Sequence, residues 1–202
     1  MIGPTLAACA AFVAPATLDA VVQVESGGNE LAINVNGLKH NPPRQTSRAE
    51  AIATAKLWIK RGYSVDLGLM QVNSRNLHGL GLTVEQVFEP CANIHAGALI
   101  LSENYSRALR QTSGGQDALK VALSYYNTGS PDRGFSNGYV AQYFIATSPV
   151  LIRHWADTNG VGKRPGNPNP FIADTEVSIP DSYFQEVADK SSDKSAPTGK
   201  GA

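Results

Sequence analysis

The stretch from Pro90 to Gln111 constrains the fold more than any other. Cys91, Ile94, Ala98, Leu101 and Tyr105 recur every three to four residues, which gives a long helix one apolar face. Pro90 suits its first turn. Such a face must be covered on several sides, so this helix is expected at the centre of the core, with Cys91 on the buried side. The chain has material to cover it: 42% of its 202 residues are hydrophobic and 17% charged. The same composition excludes some roles. Seventeen basic residues balance seventeen acidic ones, and no basic patch is interleaved with aromatics, so nucleic acid is not an expected partner. No apolar run approaches the ~20 residues of a membrane span.

Around that helix the pattern predicts a mainly α (α+β) domain. Pro15-Ala16-Thr17 opens a helix running to about Glu25, with Thr17 as its N-cap, and Gly27-Gly28-Asn29 ends it. Ala32-Ile33-Asn34-Val35-Asn36-Gly37 alternates and finishes in Asn-Gly, the signature of a small β-hairpin. Ser47-Arg48-Ala49-Glu50 and Thr83-Val84-Glu85-Gln86 are capping boxes for two further helices, the first stopping at Gly62. Between them, Val65, Leu67 and Leu69 alternate into a short extended piece or a loop. A helix is predicted at about Asp117 to Tyr126, closed by Asn127-Thr128-Gly129, and another from Asn137 to Ile145. After Trp155 the chain turns rich in Pro, Gly, Asn and Ser. The expected organisation is one domain over 5–155 and a flexible, disordered tail over 156–202, with a short ordered segment near Tyr183-Phe184. The alanine-rich start, Met1 to Ala16, has no basic residue before its apolar part and makes a poor signal peptide. The chain therefore reads as a mature or trimmed form, or one whose export signal is not visible.

Glu25 is the residue with chemistry in prospect. It ends an apolar helical run seven residues after Leu18 and three after Val22, so it turns toward whatever those two pack against. A carboxyl at the edge of an apolar core loses hydration, and its pKa rises toward neutrality. The bland alternative is a helix-end Glu in water. Cys91-x-x-x-His95 spans one helical turn and suits two metal ligands or a thiol pair, but no further pair completes a metal site and no partner orients a thiolate. Neither a metal nor a cofactor is expected. Cys9 and Cys91, the two cysteines, are equally compatible with buried thiols and with a disulfide.

Four segments in order carry a resemblance: Glu25-Ser26-Gly27-Gly28-Asn29, Gly68-Leu69-Met70-Gln71-Val72-Asn73, Cys91-Ala92-Asn93-Ile94 with Gly97 following, and Ser124-Tyr125-Tyr126-Asn127-Thr128-Gly129. Together they resemble the soluble lytic transglycosylase family, which has a goose-type lysozyme-like fold. The wording of 32–37 and 66–74 is similar to the branch that serves bacterial type IV secretion systems. The resemblance covers about Pro15 to Tyr143. It implies cleavage of the MurNAc-β-1,4-GlcNAc bond of peptidoglycan with closure of a 1,6-anhydro ring, using Glu25 as acid and then base. It further implies Gln71 facing substrate, Tyr126 and Asn127 as a pair whose Tyr hydroxyl approaches the catalytic carboxyl, and Tyr139 either lining the cleft or in the core. Ser26 and Asn73 are softer carry-overs. A disulfide between Cys9 and Cys91, peptidoglycan strands and secretion subunits as partners, and a place in the periplasm or cell envelope of a Gram-negative bacterium also follow from it.

Two other readings compete. Asp66 as a second carboxylate would make a hydrolytic muramidase in which water attacks, whereas the simpler reading of Asp66 is a turn residue before Leu67-Gly68. A non-catalytic peptidoglycan-docking or scaffold subunit is the other, disfavoured because a binding module needs no desolvated acid.

Overall fold

The computed structural model describes residues 2–144, and the boundary at 155 and the tail expected over 156–202 lie outside them. In chain order the elements are α1 (Pro4–Ala7), α2 (Pro15–Ser26), β1 (Ile33–Val35), α3 (Arg48–Lys60), β2 (Val65–Leu67), β3 (Val72–Asn73), α4 (Val84–Val87), α5 (Pro90–Ala108), α6 (Gly115–Thr128) and α7 (Arg133–Ser136). Short 3-10 turns at Ala8–Ala10, Ser74–Asn76 and Val140–Tyr143 complete the set. This is the expected mainly α fold with a small antiparallel sheet, ordered β1-β2-β3. Among the described residues no single helix is long and apolar enough to cross a membrane.

α5 is the centre. Ile94, Ala98, Leu101 and Tyr105 are buried on it, packed among Leu18, Val21 and Val22 of α2, Ala118, Leu119 and Ala122 of α6, and Val87-Phe88. Its Asn93, 1% exposed, is the polar rivet of this core. The amide Nδ2 donates to the carbonyls of Leu67 (2.9 Å) and Val87 (2.8 Å), and Oδ1 accepts the Met70 N–H at 2.8 Å. Three backbone groups that would otherwise be buried without partners are satisfied by one side chain. That fastens the turn between β2 and β3 onto α5. Gly68 permits it: its φ is +73°, and a Cβ there would lie 2.3 Å from Asn93 Nδ2.

The sheet sorts residues by parity. Pairing sets Asn34 opposite Asp66, and Asp66 opposite Asn73. Val35, Val65, Leu67 and Val72 are buried, so alternation turns the polar trio to the other face, into the cleft.

Several expectations are corrected. Helix α2 starts at Pro15 with Ala14 before it, because proline needs no N–H partner there, and Thr17 is buried rather than capping. Asn36-Gly37 does not close a hairpin: β1 pairs with β2, beyond α3, and the hairpin is β2–β3. In the Ser47 box, the Ser hydroxyl accepts the Glu50 N–H, while the Glu50 carboxylate takes the N–H and hydroxyl of Thr46 instead. The Thr83–Gln86 box is reciprocal as expected. Cys91 is exposed, one residue off the buried stripe, and joined to Cys9 by a disulfide. Where a helix was expected from Asn137, the chain makes α7 earlier, turns at Gly138 (φ +80°), and forms only the 3-10 turn Val140–Tyr143.

Candidate active site

The last turn of α2 delivers Glu25 into a cleft of about 1020 Å³. Leu18 and Val22 are fully buried two turns and one turn earlier on the same stripe, so the helix is anchored by the face that carries Glu25. Gly27, in the left-handed region at φ 60°, ends the helix and bonds back to the Gln23 carbonyl at 3.1 Å. Ser26 also lines the cleft, but its hydroxyl donates to the Val22 carbonyl (3.1 Å) and accepts the Gly28 N–H (3.2 Å). It shapes the turn.

The environment of Glu25 is that of an acid. Burial pushes its pKa from 4.5 up to about 7, a hydrogen bond from Tyr139 pulls it partly back, and the negative charge of Asp66 raises it further. The Tyr139 hydroxyl donates to Glu25 Oε1 and lies 2.6 Å from the Tyr143 hydroxyl. Burial, the nearby Tyr143 and Glu25 hold the Tyr139 hydroxyl far above its ordinary value, so it remains a neutral donor. Burial and, after it, the nearby Glu25 charge raise the Tyr126 hydroxyl well above its ordinary value, so it does approach the carboxyl as expected, but its hydrogen bond goes elsewhere. Its hydroxyl donates to the Met70 carbonyl at 2.7 Å, and it supports the cleft wall while lining it beside Asn127. Tyr139 makes the bond to the carboxyl, from behind it rather than from the cleft wall. Tyr125, next to Tyr126 in the chain, is buried, with its hydroxyl bonded to Gln111 and its ring under Arg107.

Asn127 is linked to Tyr139 through Asn137. Its Oδ1 accepts from Asn137 Nδ2 at 2.9 Å, and Asn137 Oδ1 accepts the Tyr139 N–H at 3.0 Å. An αL residue, Gln71 (φ 47°), lines the cleft with its amide NH2 spent on the carbonyls of Gly68 (2.9 Å) and Ala32 (3.3 Å). Among the described residues its Oε1 has no partner, which leaves an acceptor for a ligand.

Asp66 is not a turn residue. It sits mid-strand on β2 in the cleft, and its carboxylate accepts three amide N–H groups: Asn34 at 2.9 Å and Asn36 at 2.9 Å on Oδ2, Asn73 at 2.6 Å on Oδ1. Asn41 in turn donates to Asn34 at 2.7 Å, and Asn73 donates to Ser64 at 2.7 Å. Asn73 lines the cleft as expected, with its amide NH2 spent on Asp66 and Ser64. Sequence reasoning missed Asn34, Asn36, Asn41 and Tyr143 as site residues. The Asn-x-Asn spacing on an alternating strand was a usable signal for two of them, since i and i+2 share a face.

The site therefore brings an acid with a pKa of about 7 and the caged Asp66 into one cleft. Among the described residues no three His, Cys, Asp or Glu are grouped as metal ligands would be.

Comparisons with known proteins agree on a family. The transglycosylase SLT domain matches residues 5–142. The chain is 40% identical over 156 residues to the type IV secretion system protein virB1 of Brucella abortus biovar 1, covering 71% of this chain and 64% of that protein. It is 35% identical over 159 residues to protein virB1 of Agrobacterium fabrum, covering 79% and 64%. For protein virB1 of Rhizobium radiobacter the identity is 39% over 147 residues, covering 71% and 61%. The chain thus spans a little under two thirds of these relatives' length. No solved structure matches it.

Proposed function

Since the chain belongs to the transglycosylase SLT domain family, we propose that it is a peptidoglycan lytic transglycosylase with Glu25 as its single acid and base. The observation that carries this is the desolvated Glu25 carboxyl, with a pKa of about 7, reaching an open polar cleft under the Tyr139 hydroxyl. Protonated Glu25 gives its proton to the glycosidic oxygen between MurNAc and GlcNAc, and the C1–O bond breaks. The 6-hydroxyl of the same muramoyl ring attacks C1 and returns its proton to the carboxylate, closing the 1,6-anhydro ring. Atoms balance without water, and Glu25 ends as it began. Tyr139, with Asn127 and Asn137 behind it, orients the carboxyl. Gln71 offers its free acceptor to an N-acetyl N–H or a sugar hydroxyl, and Ser26, Asn73 and Tyr126 build the walls. Asp66 stabilises the positive charge that develops at C1.

The relatives named as type IV secretion system proteins support a role in opening the wall for such a machine, alongside its other subunits. The Cys9–Cys91 disulfide supports an oxidising compartment, the periplasm or cell envelope.

A second reading has a specific observation in its favour. The caged Asp66 shares the cleft with the acid, as a second carboxylate would in a hydrolytic muramidase. Mass spectrometry of peptidoglycan digested by the wild type and by Glu25→Gln separates the two. Anhydro-muramoyl ends, one water lighter than reducing ends and absent with the variant, are expected. Reducing ends would make water the nucleophile and Asp66 the next residue to change. Products from Glu25→Gln within a few-fold of wild type would overturn the assignment, and no products from either would leave a docking subunit.

A further inference from the structure

The cleft also carries an aromatic ring and a cation that the proposed chemistry does not use. Tyr63 follows α3 and lines the cleft with 37% of its surface exposed. Its hydroxyl has no hydrogen-bond partner among the described residues, whereas Tyr126, the other tyrosine lining the cleft, has its hydroxyl committed to Met70. The ring is held rather than loose. It meets Trp58 edge to face at 5.2 Å, and Trp58 has the Arg61 guanidinium 4.9 Å from its ring centroid. The Trp58 carbonyl accepts the N–H of both Arg61 and Tyr63, each at 3.1 Å. Such a fixed, half-exposed ring suits the apolar face of a sugar, since little side-chain freedom remains to be lost.

Arg75 is the one cation among the described residues lining the cleft, and no carboxylate is paired with it there. It lies on the same wall as Tyr63. The Val65 N–H donates to Ser74 Oγ at 3.0 Å, and Ser64 and Asn73 exchange hydrogen bonds at 3.0 and 2.7 Å, so 63–64 and 74–75 run side by side. At ~3.3 Å per residue Tyr63 is roughly 10 Å along this wall from Asp66. Protonated Glu25 carries no charge and the Asp66 carboxylate would repel an acidic ligand; of the lining residues Arg75 alone attracts one.

We propose that Tyr63 and Arg75 form a subsite for a muramoyl ring carrying a carboxylate on its lactyl arm, the ring stacking on Tyr63 and the carboxylate pairing with Arg75. The inference rests on the glycan-cleaving reading and deepens it: the cleft selects acid-bearing glycan over plain N-acetylglucosamine polymer. The carboxylate comes from the peptide stem on intact strands, or from the bare lactyl group once an amidase has removed the stem.

The test measures binding on the Glu25→Gln background, where no turnover interferes. Three probes are titrated: stem-bearing strands, amidase-stripped strands and N-acetylglucosamine hexamer. Arg75→Gln is expected to weaken at least one acid-bearing probe about tenfold and leave the hexamer unchanged, with Arg75→Lys recovering part of the loss. Which acid-bearing probe responds identifies the source of the carboxylate. Tyr63→Ala is expected to weaken all three several-fold, and Tyr63→Phe to behave as the parent. Unchanged binding of both acid-bearing probes by Arg75→Gln, an equal loss on the hexamer, or an unaffected Tyr63→Ala would overturn the subsite. Thermal melting of each variant identifies a loss due to misfolding, and for a melted variant the Arg75→Lys and Tyr63→Phe results decide. Absence of anhydro ends with the wild type would instead overturn the chemistry, and leaves this binding pattern to be judged separately.

Discussion

Glu25 is tuned by two neighbours of opposite sign, and each can be removed alone. The Tyr139 hydrogen bond favours the charged carboxylate, so Tyr139→Phe should raise the Glu25 pKa above about 7. The Asp66 charge disfavours it, so Asp66→Asn should lower it. Because the first step needs a protonated Glu25, activity falls as pH rises through this pKa. The basic limb of the pH–rate profile should therefore move up in Tyr139→Phe and down in Asp66→Asn; shifts in the same direction would contradict the arrangement. The same burial bears on stability. The folded pKa of about 7 stands above the ordinary 4.5, so between those values the folded state keeps a proton the unfolded chain has released. Stability contributed by protonated Glu25 is complete below the lower value and is lost as pH rises through the upper one. Glu25→Gln escapes this loss and should gain on the wild type between pH 4 and pH 8, by something on the order of 1–3 kcal/mol. Denaturant titrations of both proteins at the two pH values check it.

At the scale of elements, the contact between α5 and the β2–β3 turn sets the cleft floor. Gly97 on α5 faces Met70 so closely that an added Cβ would lie 2.6 Å from the Met70 Cβ and 2.7 Å from its sulfur. Glycine to alanine in a helix normally stabilises by up to ~1 kcal/mol. Here Gly97→Ala should destabilise, by ~1–3 kcal/mol, because a helix and a turn cannot both keep their places. It should also slow turnover, since Met70 carries the carbonyl that Tyr126 holds. A melting temperature equal to or above wild type would show that the turn yields freely. Asn93 is the other half of this joint, and its three bonds explain why a helix-interior asparagine is buried.

For the whole molecule, the disulfide closes a loop with a sequence separation of 82 and ties the N-terminal segment to the start of α5. Other contacts help: His95 Nδ1 lies 3.0 Å from the Cys9 carbonyl oxygen, and the Ile2 N–H donates to Asp19 at 2.7 Å. A loop of this size contributes roughly 2–4 kcal/mol by restricting the unfolded chain. Replacing both cysteines by serine should lower the melting temperature by on the order of 10 °C. Neither cysteine lines the cleft, so the rate well below melting should stay within about twofold. A lost rate at unchanged secondary structure would mean that the segment shapes the site directly.

What the sequence settled by itself is what short-range chemistry dictates. The stripe of Ile94, Ala98, Leu101 and Tyr105, the Thr83–Gln86 box and the stop at Gly129 are each written within a few turns of chain, and α5, α4 and α6 follow them. The position of Glu25 at the rim of the core is legible for the same reason, since Leu18 and Val22 lie on its own helix. Tertiary structure decided the partners. Nothing local distinguishes β2 from a hairpin partner for β1, or a turn aspartate from one caged by Asn34, Asn36 and Asn73. Nor does spacing say which of Tyr126 and Tyr139 reaches the carboxyl. Those outcomes depend on where elements distant along the chain come to rest, and a hydroxyl displaced by a few ångströms makes a different bond.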